Sequence, residues 1–171
     1  MMKRSLISCL GILTFLIAAV AATASAPATR TDGFDNLKSL VGEWEGTNKD
    51  GKPVHVVYNL TSAGSVIMEQ IDPEGDHAMV TMYHKDGDRL MMTHYCAAGN
   101  QPRMRAAKAP GDGKSLAFSY IDATNLAKPS DPHMVKLVFD FTDADHITET
   151  WTYQADASKQ TTEVFHLTRK A

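Results

Sequence analysis

The sequence is short of cysteine, of long apolar runs and of concentrated positive charge. It has two cysteines, Cys9 and Cys96. Cys9 lies within the N-terminal apolar stretch, so a processed chain keeps Cys96 alone and can form no internal disulfide. Leu6 to Val20 is apolar, and no later run is long enough to cross a bilayer as a helix. Seventeen Lys and Arg against twenty Asp and Glu give a formal net charge of −3. No basic stripe interrupts that balance, which argues against a nucleic-acid surface.

The N-terminus has the order of a secretory signal: basic Lys3 and Arg4, the apolar run, then small residues. Small-x-small pairs at Ala22 and Ala24, Ala24 and Ala26, and Ala26 and Ala28 offer three cleavage sites. Pro27 disfavours a cut after Ala26. Cys9 precedes most of the apolar core, whereas a lipid-modified cysteine follows it, so no lipid anchor is expected. The chain divides into a signal segment at 1–26, a leader at 27–33 and one domain at 34–171. Roughly 145 residues after the signal suffice for one domain with a real core. The expected location is periplasmic or secreted, with no stable membrane anchor after cleavage.

Asp32 can cap a short helix carrying Phe34, Leu37 and Leu40 or Val41 on one stripe, ended by Gly42. Beyond it the period changes to two. Ten strands are predicted, at about 43–48, 53–60, 65–71, 77–84, 88–96, 103–108, 115–121, 134–141, 145–153 and 161–169. Val54, Val56, Tyr58 and Leu60 share a face, as do Val135, Leu137, Phe139 and Phe141. Turn residues at Asp50-Gly51, Pro73-Glu74-Gly75, Gly111-Asp112-Gly113 and Asp143-Ala144-Asp145 separate the runs. Short strands with hairpin-length links define an all-β, antiparallel up-and-down barrel of about ten strands with a short N-terminal helix. A two-sheet sandwich is the alternative. Ala123 to Pro132, the longest irregular piece, suits a flap at one barrel mouth.

The densest chemistry lies in residues 76–105, a hairpin turning at Asp86-Gly87. With Gly87 left-handed after a type I turn, His84 would face Asp88, and Ala78, Val80, Met82, His84, Leu90, Met92, His94 and Cys96 would share the inner face. A tighter two-residue loop would flip one strand relative to the other. In the last two strands Ile147, Glu149, Trp151, Tyr153, Glu163, Phe165, Leu167 and Arg169 form an apolar face holding two acids. Such acids need either water or partners, for which Arg103 and Arg105 are candidates.

Leu40-Val41-Gly42-Glu43-Trp44-Glu45-Gly46 after a short helix resembles the opening of calycin barrels, the group of lipocalins, fatty-acid-binding proteins and nitrobindins. The whole processed chain also resembles exported lipocalin-like bacterial proteins. The resemblance implies that Trp44 of Gly42-x-Trp44 packs against a late arginine, here Arg169, at the barrel base. Nitrobindins hold haem through a histidine of the last strand. Val164 stands at that position here and His166 lies on the outer face, so the resemblance implies no haem by that route.

His94 and Cys96 project the same way, with His84 expected opposite. One thiol and two imidazoles would suit Zn²⁺ or Cu⁺, but hydrogen-bonded cavity histidines and a small buried cysteine are the plainer expectation. No metal and no cofactor is therefore assigned. Gly99-Asn100-Gln101-Pro102-Arg103 offers amides and a guanidinium fork near one mouth. The expected cavity residues are His84, His94, Cys96, Arg103, Glu149 and Trp151. They point to binding of a small, mostly apolar ligand with a polar or anionic head. A metal or haem protein using the cavity His and Cys is the alternative. A hydrolase-like or isomerase-like enzyme with Cys96 as nucleophile is the third reading, and it lacks an orienting group. Exported protein should begin near Ser25 or Thr29, as N-terminal sequencing would show. An intact Met1 or a lipid on Cys9 would rule that out.

Overall fold

The computed structural model describes residues 33–107 and 113–171; the signal segment, most of the leader, the Asp32 cap and much of the turn at 111–113 lie outside them. One helix, α1 (Gly33–Ser39), precedes ten strands: β1 (Gly42–Asn48), β2 (Pro53–Thr61), β3 (Val66–Pro73), β4 (Met79–Asp86), β5 (Arg89–Tyr95), β6 (Gln101–Ala106), β7 (Ser115–Thr124), β8 (His133–Phe141), β9 (His146–Gln154) and β10 (Gln160–Arg169). Each strand pairs antiparallel with its sequence neighbour, and β1 pairs β10, so the sheet closes into a barrel. The predicted strands coincide with the observed ones to within a few residues, and the sandwich is excluded.

Closure sits at the start of β1. Trp44 pairs with Arg169 across β1 and β10. The guanidinium carbon of Arg169 lies 4.3 Å from the Trp44 ring centroid. Arg169 also donates to the carbonyls of Ser39 at 2.6 Å, Val41 at 3.1 Å and Ala144 at 3.1 Å. Trp44 Nε1 donates to Leu40 O at 2.7 Å. One cation thus ties the helix exit, the first strand and the β8–β9 turn, and its charge sits over a fully buried indole. Gly46 permits the two strands to approach: a Cβ there would lie 1.8 Å from the His166 carbonyl oxygen.

The helix covers this end. Phe34, Leu37 and Leu40 are buried in the apolar cluster, whereas Val41 is exposed. Asn36 Nδ2 donates to Gly113 O at 3.1 Å. Above the helix, Trp44, Val56, Ile67, Met92, Met104, Leu116, Phe118, Leu137, Phe139 and Leu167 fill the lower barrel. The opposite end, edged by the turns after β1, β3, β5, β7 and β9, is the mouth.

One predicted register is wrong. Asp86 pairs with Arg89, Lys85 with Leu90 and Tyr83 with Met92. The loop has two residues, Gly87 with φ of 62° and Asp88. A positive φ at the first position alone is the type II′ pattern, whose twist matches the flanking strands. Every β4 side chain is thereby reversed: Met79, Thr81 and Tyr83 face inward. His84 faces outward with Nδ1 3.0 Å from Lys85 O, outside the cavity to which the sequence assigned it. The strand β5 keeps its expected phase, with Leu90, Met92 and His94 inside.

Trp44→Ala should lose roughly 3–5 kcal/mol, as aromatic truncations in cores do. Gly46→Ala removes no contact and should nevertheless unfold at lower urea, because its methyl group meets backbone. Melting of Gly46→Ala at the wild-type midpoint would contradict this closure of β1 on β10.

Candidate functional site

A polar row crosses the barrel interior. Tyr58 of β2 pairs with Glu69 of β3, Glu69 with Thr81 of β4, and Thr81 with His94 of β5. All four point inward and are fully buried. Tyr58 Oη donates to Glu69 Oε1 at 2.8 Å, and Tyr83 Oη donates to Glu69 Oε2 at 2.8 Å. The Thr81 hydroxyl lies 2.9 Å from His94 Nδ1. Across the barrel Glu149 Oε1 is hydrogen-bonded to Tyr58 Oη, and Trp151 Nε1 donates to Glu149 Oε2 at 3.0 Å.

Counting protons assigns the charges. A phenol has one proton, so Tyr58 cannot donate to both carboxyl groups. Glu69 collects both phenols, which favours its carboxylate. Glu149 then carries a proton on Oε1. Burial raises the pKa of both acids above the ordinary value, and Glu149 moves further because the Glu69 charge adds to the burial. The two share one proton as a pair. Burial also raises Tyr58 and Tyr83, which keeps both as neutral donors.

The row ends at a cavity of about 650 Å³ that opens at the mouth. Ile71, Met79, His94, Trp151 and Phe165 form its inner wall, and Cys96, Tyr153 and Met134 stand nearer the opening. The His94 and Trp151 rings lie 4.6 Å apart at 42°. Burial lowers the His94 pKa to about 4, so the imidazole is neutral near pH 7. Its Nε2 is buried and has no hydrogen-bond partner among the described residues. Cys96 is a half-buried free thiol whose pKa burial raises. Among the described residues no three His, Cys, Asp or Glu side chains gather as a metal cluster.

Of the six residues expected in the cavity, His94, Cys96 and Trp151 line it. Glu149 lies beneath, on Trp151. Arg103 does not reach it: Pro102 and Met104 take the inner face of β6, and the exposed Arg103 grips Asp122 with Nε 2.6 Å from Oδ1. Asp122 is the carboxylate that its fork meets. Arg105 pairs with Asp86 at 3.3 Å and Glu163 with Lys49 at 3.6 Å, so neither arginine neutralises an interior acid. Asn100 and Gln101 serve neighbouring loops, Asn100 Nδ2 donating to Pro132 O at 2.8 Å and Gln101 Oε1 accepting from Thr124 at 2.7 Å. The expected flap is shorter, since β7 runs to Thr124, and it lies at the mouth rim.

Tyr58, Glu69, Thr81 and Tyr83 were missed. A signal existed for Glu69: it alternates with Ile67 and Ile71, as Glu149 does with Ile147 and Trp151.

In fold, the protein is a closed ten-strand antiparallel barrel with an internal cavity. Its chain matches Rv2717c from M. tuberculosis over 82% of this chain and 99% of that one, with TM-score 0.55 and 16% identity. It also matches a protein of unknown function of the DUF3598 family from Nostoc punctiforme PCC 73102, with TM-score 0.54 and 13% identity over 79% of this chain. It spans about half the length of the Nostoc protein, at 49%. At these identities the likeness is one of fold. No protein-family model and no curated protein matches the sequence.

Stability should carry the signature of the shared proton. When folded, Glu149 keeps its proton above 4.5, where the unfolded group ionises. The native state then binds more protons, so stability falls as pH rises, by up to about 1.4 kcal/mol per pH unit. His94 has the opposite sign: its contribution grows between about 4 and 6.5 and is constant above. Above that window the carboxyl effect is unopposed by His94. His94 contributes alike to both proteins, so the urea midpoint of wild type should fall relative to that of Glu149→Gln as pH rises above 4.5. Parallel decline of the two proteins would mean that Glu149 is ionised when folded.

Proposed function

We propose that the protein is an exported calycin-type barrel that binds a small, mostly apolar molecule in its mouth cavity, with the polar end of that molecule against His94. The observation that carries this reading is the partnerless Nε2 of a fully buried imidazole on a cavity wall. Leaving a buried polar atom unpaired costs about 1–3 kcal/mol. A bound molecule that pairs with Nε2 recovers that cost, and Ile71, Met79, Trp151 and Phe165 supply apolar contact around it. The N-terminal basic and apolar order supports export.

The same nitrogen, with Met79 and Cys96 also lining the cavity, supports a second reading in which a soft metal ion or a haem iron is bound there. Visible absorbance and metal analysis of purified protein separate the two. A nucleophilic role for Cys96 is not favoured, because burial holds its thiol protonated.

Nile red serves as an uncharged apolar probe. It should bind wild type with a blue-shifted emission and quench Trp151. With free probe at about ten times its Kd, labelling of Cys96 by a bulky maleimide should slow about tenfold. Native mass spectrometry of gently purified protein should show a co-purifying organic mass. Absence of that mass, together with Cys96 labelling indifferent to Nile red, would reject the binding reading.

A further inference from the structure

We propose that the end of the bound molecule that reaches His94 is uncharged, so that the cavity takes neutral compounds such as alcohols and amides and rejects acids and amines. This inference rests on the binding reading above and specifies its ligand class. It follows from where the charges around the cavity stand. Lys49, Asp50 and Lys52 belong to the β1–β2 turn, and Glu74 and Asp76 to the β3–β4 turn, all at the mouth. Glu163 of β10 turns its carboxylate to Lys49 at 3.6 Å, and Lys49 also holds Asp50 at 2.7 Å. The inner wall of Ile71, Met79, His94, Trp151 and Phe165 has no lysine, arginine or carboxylate. The acid pair beneath does not line the cavity: Glu69 is engaged by Tyr58 and Tyr83, and Glu149 by Tyr58 and Trp151.

The lining groups that can ionise are also driven to their neutral forms. Burial lowers His94 to about 4 and raises the Cys96 thiol and the Tyr153 phenol, so all three are uncharged at about pH 7. A carboxylate brought to His94 would lose its water with no cation to meet it, and an ammonium would lose its water with no carboxylate there. An uncharged polar end escapes that cost. The partnerless Nε2 carries a lone pair or an N–H according to which ring nitrogen holds the proton, and the Thr81 hydroxyl on Nδ1 can complement either form. A neutral group that both donates and accepts suits each of them.

The test is displacement of Nile red by four eight-carbon probes: octan-1-ol, octanoate, octane-1-sulfonate and octylammonium. At about pH 8 octan-1-ol should act at concentrations at least about tenfold below the three ions. As the pH falls from about 8 to about 6, octanoate should gain about tenfold per unit, because only its protonated fraction enters. Octane-1-sulfonate, which no proton neutralises, should stay weak throughout, and octan-1-ol should not change. Octanoate or octylammonium matching octan-1-ol at about pH 8 overturns the neutral-end assignment while leaving cavity binding intact. A sulfonate that strengthens as the pH falls overturns it too, since His94 then charges to meet an anion. Failure of Nile red itself to bind overturns the binding reading and this inference with it.

Discussion

The barrel depends on one interface, β1 against β10. Eight hairpin links and the 3₁₀ turn between β2 and β3 join sequence neighbours, but only this pairing turns an open sheet into a closed one. It brings residue 44 to residue 169, and the entropy of closing that loop must be recovered by the contacts it makes. Arg169 concentrates those contacts by stacking on Trp44 while satisfying carbonyls from the helix exit and the β8–β9 turn. Gly46 removes the steric obstacle. Closure also eliminates two sheet edges that would otherwise template association.

Inside the closed wall the protein is stratified. The lower half is a packed apolar core closed by the helix. The middle is a layer of carboxyl, phenol, hydroxyl and imidazole groups. Above it lies the cavity. A buried carboxylate is tolerable only when its lone pairs are filled, and Glu69 accepts from two phenols, one on each neighbouring strand. Their convergence on one anion ties β2 and β4 to β3 at this level.

Much of this was legible in the sequence. Period-two alternation located ten strands, and the Gly42-x-Trp44 opening anticipated the contact with Arg169. The inward phase of His94 and Trp151 followed from apolar neighbours on their own strands. The β4 face was not legible, because a left-handed Gly87 suits both a type I turn with a bulge and the type II′ turn observed, and the two differ by one residue. That slip moved His84 inward on paper and hid Thr81 and Tyr83. Arg103 was a different error: the alternation that buries Met104 already turns Arg103 outward. The link between Glu69 and Glu149 spans the barrel and leaves no local trace in either strand.

Among the described residues the helix covers one end and the cavity opens at the other, which makes the barrel a blind-ended vessel. A molecule bound as proposed would enter and leave by the same rim, its end nearest His94 going in first and coming out last. Its far end would face solvent, under no steric limit. On that reading the container would measure one end of a molecule and ignore the rest, and extensions, labels or a surface attached to the distal end would leave recognition unchanged.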